Sequence, residues 1–385
     1  MTNNMISTVS KYGVFVVDDV SFVNKLDALK FASKFNKKVR WDFNDAVFSA
    51  FDWTTPIEKS LPDLYKQRAQ QIRDTYDYVS LFLSGGVDST NVLHSFIDND
   101  IFLDEIVMYR PSSQIKYANK TDKSLSNTWS ELEFAAIPYL KKQCINSKTL
   151  IREIDLEECV NDFVSNSRLT QQWHQLNYVT PNMWAKNAMC MTDKHWISLY
   201  DSGKSIGHIM GSDKPRVRCR DGQYYMRFHD AGATTLHFQP QSVSADESEK
   251  IRKHQGYEMF YWTADFPQIV IKQCQVIKQQ CKNDPVFKSL VLDDSIPHGV
   301  YGPAVSKYIY SPQVNSIRDL FAVDNLAVFN GTDSHQRWIT QCSTDVTGFY
   351  NEMCRFSRQH VNNEFFMSPQ PWSNFKWFFS KEYLF

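Results

Sequence analysis

The string in this chain best equipped for chemistry is Leu83-Ser84-Gly85-Gly86-Val87-Asp88-Ser89. It follows an apolar run, Tyr78–Leu83, suited to a strand. It opens an amphipathic stretch, Asp88–Ile97, with Val92, Leu93, Phe96 and Ile97 on one helical face. A strand that turns straight into a helix brings free first-turn N–H groups and the positive end of the helix dipole to the bend, which favours a phosphate. Gly85 and Gly86 let the backbone curl close to an anion without a Cβ clash, and Ser84 and Ser89 add short hydroxyl donors. Asp88 would repel a phosphate unless a divalent cation lay between them, which assigns it to Mg²⁺. The string lacks the Gly-Lys-Ser/Thr ending of a Walker A loop and the third glycine of the dinucleotide fingerprint. The plain structural alternative is a Ser/Gly turn capping a core helix.

Two further segments converge on the same chemistry. Ile206–Met210 reads as a short strand and leads into Gly211-Ser212-Asp213-Lys214-Pro215-Arg216. In open α/β sheets, ligands bind outside the strands' carboxyl ends where strand order reverses. If the strand ending at 210 lies beside the one ending at 83, Gly211–Lys214 faces the bend across that crevice. Lys214, Arg216 and Arg218 would then neutralise developing phosphate charge; for the two arginines the alternative is a solvated hairpin face, and for Asp213 a turn residue. Tyr261–Gln268 precedes a helix that Asp265 would cap and Pro267 start, with Ile269, Val270 and Ile277 towards the core and Lys272 on the second turn. Cys274 and Cys281 share a face of that helix and read as packed thiols, and His94 as structural. His229 and His237 lack the spacing of a His-Glu-x-x-His site.

Ser-Gly-Gly-x-Asp-Ser resembles the PP-loop signature of the N-type ATP pyrophosphatases, the superfamily that includes asparagine, β-lactam, GMP and NAD synthetases. The resemblance implies an adenine-nucleotide α-hydrolase-like fold, with ATP and Mg²⁺ bound. ATP is cleaved between its α- and β-phosphates, an adenylate forms on a carboxylate or carbonyl substrate, and ammonia or an amine, delivered separately, displaces AMP. On this basis Leu83, Ser84, Gly85, Gly86, Val87, Asp88 and Ser89 surround the pyrophosphate, with Gly211 and Arg216 across the crevice. Asp213 joins Asp88 on the metal, because Gly211–Lys214 is similar to the Gly-x-x-Asp segment of asparagine and β-lactam synthetases. Lys272 and Lys214 become candidate catalytic lysines, the former by analogy with a pyrophosphate-contacting lysine and otherwise a surface residue. Met108, Tyr109 and Arg110 would neighbour the adenine; core packing accounts for Met108 equally well. The chain departs from asparagine synthetase in having fewer than ninety residues before the loop and no cysteine before Cys144, where a glutaminase domain would need an amino-terminal cysteine. Thiolating and nitrile-forming branches need cysteine groups that are not spaced for it here, which favours amide-type C–N bond formation. The β-rich opening and aromatic tail also resemble virus-encoded relatives of asparagine synthetase.

The elements that must position these residues are legible as an alternation. A small β-rich opening (Tyr12–Val17, Leu26–Phe35, Val39–Phe43) and a helix over Glu58–Arg73 precede residue 76. Strands at Tyr78–Leu83, Glu105–Tyr109 and Lys148–Ile154 then alternate with helices at Asp88–Ile97, Ser130–Gln143, Leu156–Val164 and Pro181–Met191. This predicts βαβ units and a doubly wound, mostly parallel sheet. Asp221-Gly222 predicts a hairpin within Arg216–Phe228, and Ser244–Gln255 and Pro267–Gln280 read as helices. The expected division is a small α+β region over 1–75, a nucleotide-binding α/β domain over 76–230 and a mostly helical region over 231–385 that completes the substrate site. With 42 Lys+Arg against 43 Asp+Glu in 385 residues, the net charge of −1 gives no global basic footprint. A hairpin patch of Lys214, Arg216, Arg218, Arg220 and Arg227 keeps nucleobase modification of tRNA or DNA as an alternative, and a non-catalytic ATP-binding module is another. No apolar run approaches the ~20 residues of a bilayer span. None of the eight cysteines forms a Cys-x-x-Cys pair, so reduced thiols in the cytoplasm are expected.

Overall fold

The structure, a computed structural model, describes residues 13–22, 25–113, 132–143, 145–165, 186, 189–190, 192–211, 214–230, 255–293, 298–314 and 378–385. The opening region forms a three-stranded antiparallel sheet of β1 (Val14–Val17), β2 (Val20–Phe22) and β3 (Arg40–Asp42), in the order β2-β1-β3. Helix α1 (Lys25–Phe35) packs on it, and the short α2 (Asp45–Ser49) follows. Helix α3 (Leu61–Thr75) starts where Ser60 Oγ accepts the Asp63 N–H and Pro62 occupies the first turn. Its Leu61, Leu64, Tyr65, Ala69 and Ile72 are buried, as their helical spacing requires.

The alternating pattern resolves into β4 (Tyr78–Phe82), α4 (Val87–Ile97), β5 (Glu105–Arg110), a π-helical turn (Leu132–Ala136) running into α5 (Ile137–Leu140), β6 (Leu150–Asp155), α6 (Leu156–Ser165), α7 (Lys194–Asp201) and β7 (Ile206–Met210). Then come the hairpin β8 (Val217–Arg220) and β9 (Gln223–Met226), β10 (Gln255–Met259), α8 (Gln268–Asn283), α9 (Pro285–Leu292), α10 (His298–Ile309) and β11 (Tyr383–Leu384). Asp221 and Gly222 adopt φ of 52° and 80°, the two left-handed residues of a two-residue hairpin turn.

The central sheet has the order β10-β7-β4-β5-β6, and every pairing in it is parallel. Counting its strands along the chain, the order from the β6 edge is third, second, first, fourth, fifth. The chain first builds outward from β4 through β5 to β6, then crosses to the other side of β4 with β7. The reversal between β4 and β7 is the switch point of a doubly wound sheet. Alternation along the strands assigns the two faces. Val79, Leu81, Ile106, Met108 and Ile209 join the main core with α3, α4 and α8. Phe82 and His208 point the other way, against Trp196 of α7.

Two elements differ from the sequence reading. Gln255, expected to end a helix, instead begins β10; residues 244–254 lie outside the described residues, as does most of Pro181–Met191. Gln255-Gly-Tyr-Glu-Met has little β-propensity of its own, and its strand state rests on parallel pairing with β7 from Gln255↔Ile206 to Met259↔Met210. The fifth strand of the central sheet therefore comes from beyond residue 230. Helix α7, which the sequence reading left unassigned, is capped by the Asp193 carboxylate accepting the Trp196 N–H. Among the described residues, no helix is long and apolar enough to cross a membrane.

Candidate functional site

The bend after β4 is built by its own serines. The Leu83 N–H still donates to the Val107 carbonyl at 2.8 Å, so the strand ends in register. Ser89 Oγ accepts from the Ser84 N–H at 3.2 Å, lies 3.1 Å from Ser84 Oγ and donates to the Gly86 carbonyl at 3.2 Å. Ser84 Oγ accepts the Gly86 N–H at 3.3 Å, and Thr90 Oγ1 donates to the Gly86 carbonyl at 2.9 Å. Gly85 has φ 85°, a conformation that needs glycine, whereas Gly86 is extended at φ −72°. Only the first glycine is thus demanded by its torsions. Ser84 is exposed and Gly85–Asp88 are half-buried, so the bend is open to solvent at the top of the sheet.

The conditional expectation for the second segment holds. β7 lies beside β4, and Gly211 meets the start of α4 so closely that an added Cβ would stand 2.8 Å from Ser89 N and 2.9 Å from the Asp88 carbonyl. Ser212 and Asp213 lie outside the described residues; at Lys214, the next residue, Nζ pairs with both carboxylate oxygens of Asp88. Lys214 is buried, and the Asp88 side chain is 26% exposed. The lysine stem lies over Gly302 of α10, where an added Cβ would be 3.2 Å from Lys214 Cε. Tyr301 holds the segment that carries the lysine: its hydroxyl donates to the Pro215 carbonyl at 2.6 Å and accepts the Val217 N–H at 3.1 Å.

Asp88 has further partners. Tyr310 Oη donates to Asp88 Oδ1 at 2.6 Å, and Tyr261 Oη donates to the Asp88 carbonyl at 2.9 Å. Asn91 Nδ2 donates to Tyr261 Oη at 2.9 Å, and Asn91 Oδ1 accepts the Ser311 N–H at 3.1 Å. The Tyr261 and Tyr310 rings stack at 5.4 Å and 28°. Burial pushes both phenols well above their ordinary range, and the Asp88 charge adds to the effect, so both stay protonated as donors at neutral pH. The first turn of α4 is thereby fastened to the end of α10.

The remaining sequence-predicted residues are placed less centrally. Val87 opens α4, and Arg216 sets its guanidinium 5.5 Å from the Tyr301 ring centre. Met108 is buried in the main core, in keeping with its packing alternative, while Tyr109 lies on the opposite face, 6.0 Å from Phe82, with the Lys186 ammonium 5.3 Å from its ring centre. Lys272 Nζ donates to the Ile57 carbonyl at 2.6 Å, tying α8 to the segment before α3 rather than to the bend. Asp213 and His237 lie outside the described residues. His94 bonds Asp98 and Tyr139, and burial raises the thiols of Cys274 and Cys281, as structural roles require. Sequence reasoning missed Tyr310, Tyr301 and Gly302, and it singled out the segment containing Tyr261 for its neighbours only; nothing in spacing distinguishes these tyrosines among the 18 in the chain.

The arrangement can receive an oxyanion at the bend and has a cation and a carboxylate at the rim. A phosphate tail fits the open, glycine-lined backbone. Mg²⁺ commonly takes one or two carboxylates and completes its shell with water and substrate phosphates. Asp88 offers one carboxylate for that mode, with both oxygens engaged by Lys214 in this structure, and among the described residues no group of three or more His, Cys, Asp or Glu side chains is placed to hold a metal alone. No family model matches the chain, and no curated protein matches it.

Proposed function

We propose that the chain is a PP-loop ATP pyrophosphatase of the adenine-nucleotide α-hydrolase type, which adenylates a carboxylate or carbonyl substrate and releases pyrophosphate for amide-type C–N bond formation. The observation that carries this reading is the position of Ser84–Ser89. The motif sits at the carboxyl end of the central strand, at the point where strand order reverses, with Gly211 closed against it and the bend open to solvent. In this reading the first-turn N–H groups of α4 and the exposed Ser84 hydroxyl hold the β- and γ-phosphates, while Ser89 Oγ keeps the shape of the bend through the Ser84 N–H and the Gly86 carbonyl. An acceptor oxygen forms a bond to the α-phosphorus as the bond to the bridging oxygen breaks, and the electron pair leaves on pyrophosphate. Lys214 lies where it can balance that charge, and Asp88 would hold Mg²⁺, which supplies charge neutralisation when bound. ATP is a substrate, and ammonia or an amine completes the reaction in a second step.

The hairpin cations give little to the nucleic-acid alternative. Arg220 pairs with Glu382, Arg227 lies over the Phe379 ring, and Lys214 serves Asp88. A non-catalytic nucleotide-responsive module draws support from one fact, that Asp88 is already engaged by Lys214 and Tyr310. Incubation with α-labelled ATP, Mg²⁺ and a pool of carboxylic and amino acids separates the readings. Accumulation of AMP and pyrophosphate, abolished by Asp88→Asn, is expected; nucleotide binding with no AMP in any pool would leave only the binding module.

A further inference from the structure

A cavity of about 270 Å³ lies at the opposite edge of the central sheet from the bend, between the carboxyl end of α4, the loop into β5 and the loop into β6. Ile101, Leu103 and Ile106 give it a buried, apolar inner wall, while the exposed Asp100 and Asn146 stand at its mouth. Local hydrogen bonds hold its frame. At the end of α4 the Ile101 N–H donates to the Phe96 carbonyl at 3.0 Å and the Asp100 N–H to the Ile97 carbonyl at 3.4 Å, the paired bonds of a Schellman cap. Such a cap needs a left-handed residue, and Asp100 supplies it at φ 56°. Thr149 Oγ1 donates to the Leu103 carbonyl at 2.7 Å and ties the two loops together.

Size and charge decide what fits. An apolar cavity of about 150 Å³ is enough to hold benzene, so this one has room for a single ring or a branched aliphatic chain with a short polar arm. That arm meets negative charge. Asp100 is the only charged residue of the lining and has no ion-pair partner among the described residues, and the carboxyl end of α4 carries the negative pole of its helix. The neighbouring Asp98 and Asp104 are already engaged, by His94 and Arg73. We propose that this cavity binds a small amphipathic amine, its apolar body against Ile101, Leu103 and Ile106 and its ammonium at Asp100. The site stands apart from the nucleotide-binding reading. It lies before the amino ends of β5 and β6, whereas the bend follows the carboxyl end of β4, so its occupant takes no part in the chemistry proposed there.

Methyl NMR of the full chain, titrated with phenethylamine, tests the proposal and locates the site. Binding in the millimolar range or tighter, the scale of a fragment of about nine non-hydrogen atoms, should shift the methyl signals of Ile97, Ile101, Leu103 and Ile106 before others. Phenethyl alcohol, the same body without the charge, should bind about threefold more weakly, and the anion hydrocinnamate more weakly still. Asp100→Asn should bring the amine to the affinity of the alcohol. Asparagine tolerates the left-handed backbone at that position, so the substitution removes charge and little else. Ile97→Phe, whose larger side chain takes up part of the cavity, should weaken the amine about tenfold or more. If Ile97→Phe fails to fold, the Asp100→Asn comparison still decides. No shift of these methyl signals at about 10 mM amine, equal affinity for the amine and the anion, or an unchanged affinity in Asp100→Asn would overturn the proposal.

Discussion

Gly211 has backbone on the side where a Cβ would go. The atoms in the way, Ser89 N and the Asp88 carbonyl at 2.8 and 2.9 Å, belong to the first turn of α4 and have no rotamer to yield. Gly211→Ala must therefore shift either the end of β7 or the helix start that forms the bend. A stability loss of about 1–3 kcal/mol is expected, the usual scale of overpacking, with nucleotide affinity falling about tenfold or more because the donors lose their alignment. Thermal melts and calorimetric titration with nucleotide would check this; an unchanged affinity would show that the start of α4 does not touch the ligand. At this scale Ser84–Ser89 was legible because everything the bend needs is local: a torsion only glycine adopts at 85 and two hydroxyls that bond within five residues. The Tyr310 hydrogen bond to Asp88 spans 222 positions, and no local rule of spacing reaches that far.

The elements divide along the same line. Strands β4, β5 and β7 are buried along their whole length and read as short apolar runs. β10 is made a strand by its neighbour, and its Glu258 forms a buried ion pair with Arg68 of α3, a partner 190 residues away. The face of the sheet turned away from the main core holds a buried histidine on β7. His208 stacks on Phe82 at 5.6 Å and 5°, meets Trp196 at 4.5 Å, and its Nε2 lies 2.7 Å from Tyr200 Oη. Burial pushes its pKa from 6.5 down to about 3. As pH falls below 6.5, the unfolded chain takes up a proton there that the folded chain refuses until about pH 3, so stability is lost progressively through that window. Denaturant titrations should show a falling midpoint from pH 7 to pH 4 and a shallower fall in His208→Gln, which cannot titrate. Parallel pH profiles for the two proteins would contradict the assignment of His208 as a buried neutral base.

Across the whole molecule, one hydrophobic core joins segments that the sequence reading had separated at residues 75 and 230. Phe48 and Phe228 approach to 4.5 Å, Trp53 stacks on Tyr383 at 4.8 Å, and Tyr65 Oη donates to the Ile309 carbonyl at 2.6 Å. Composition and linker signals mark where the chain changes character, but aromatic packing closes over those places. The same architecture explains why the bend is open. It lies on the carboxyl edge of the sheet at the switch between β4 and β7, where the flanking connections depart in opposite directions and leave a crevice. Where a nucleotide's phosphates bind tests the proposed role of the bend most directly. A crystal structure of the wild-type protein with a non-hydrolysable ATP analogue and Mg²⁺ should place the β- and γ-phosphates against the backbone of Gly85–Ser89, opposite Gly211. Phosphates bound elsewhere would contradict that role.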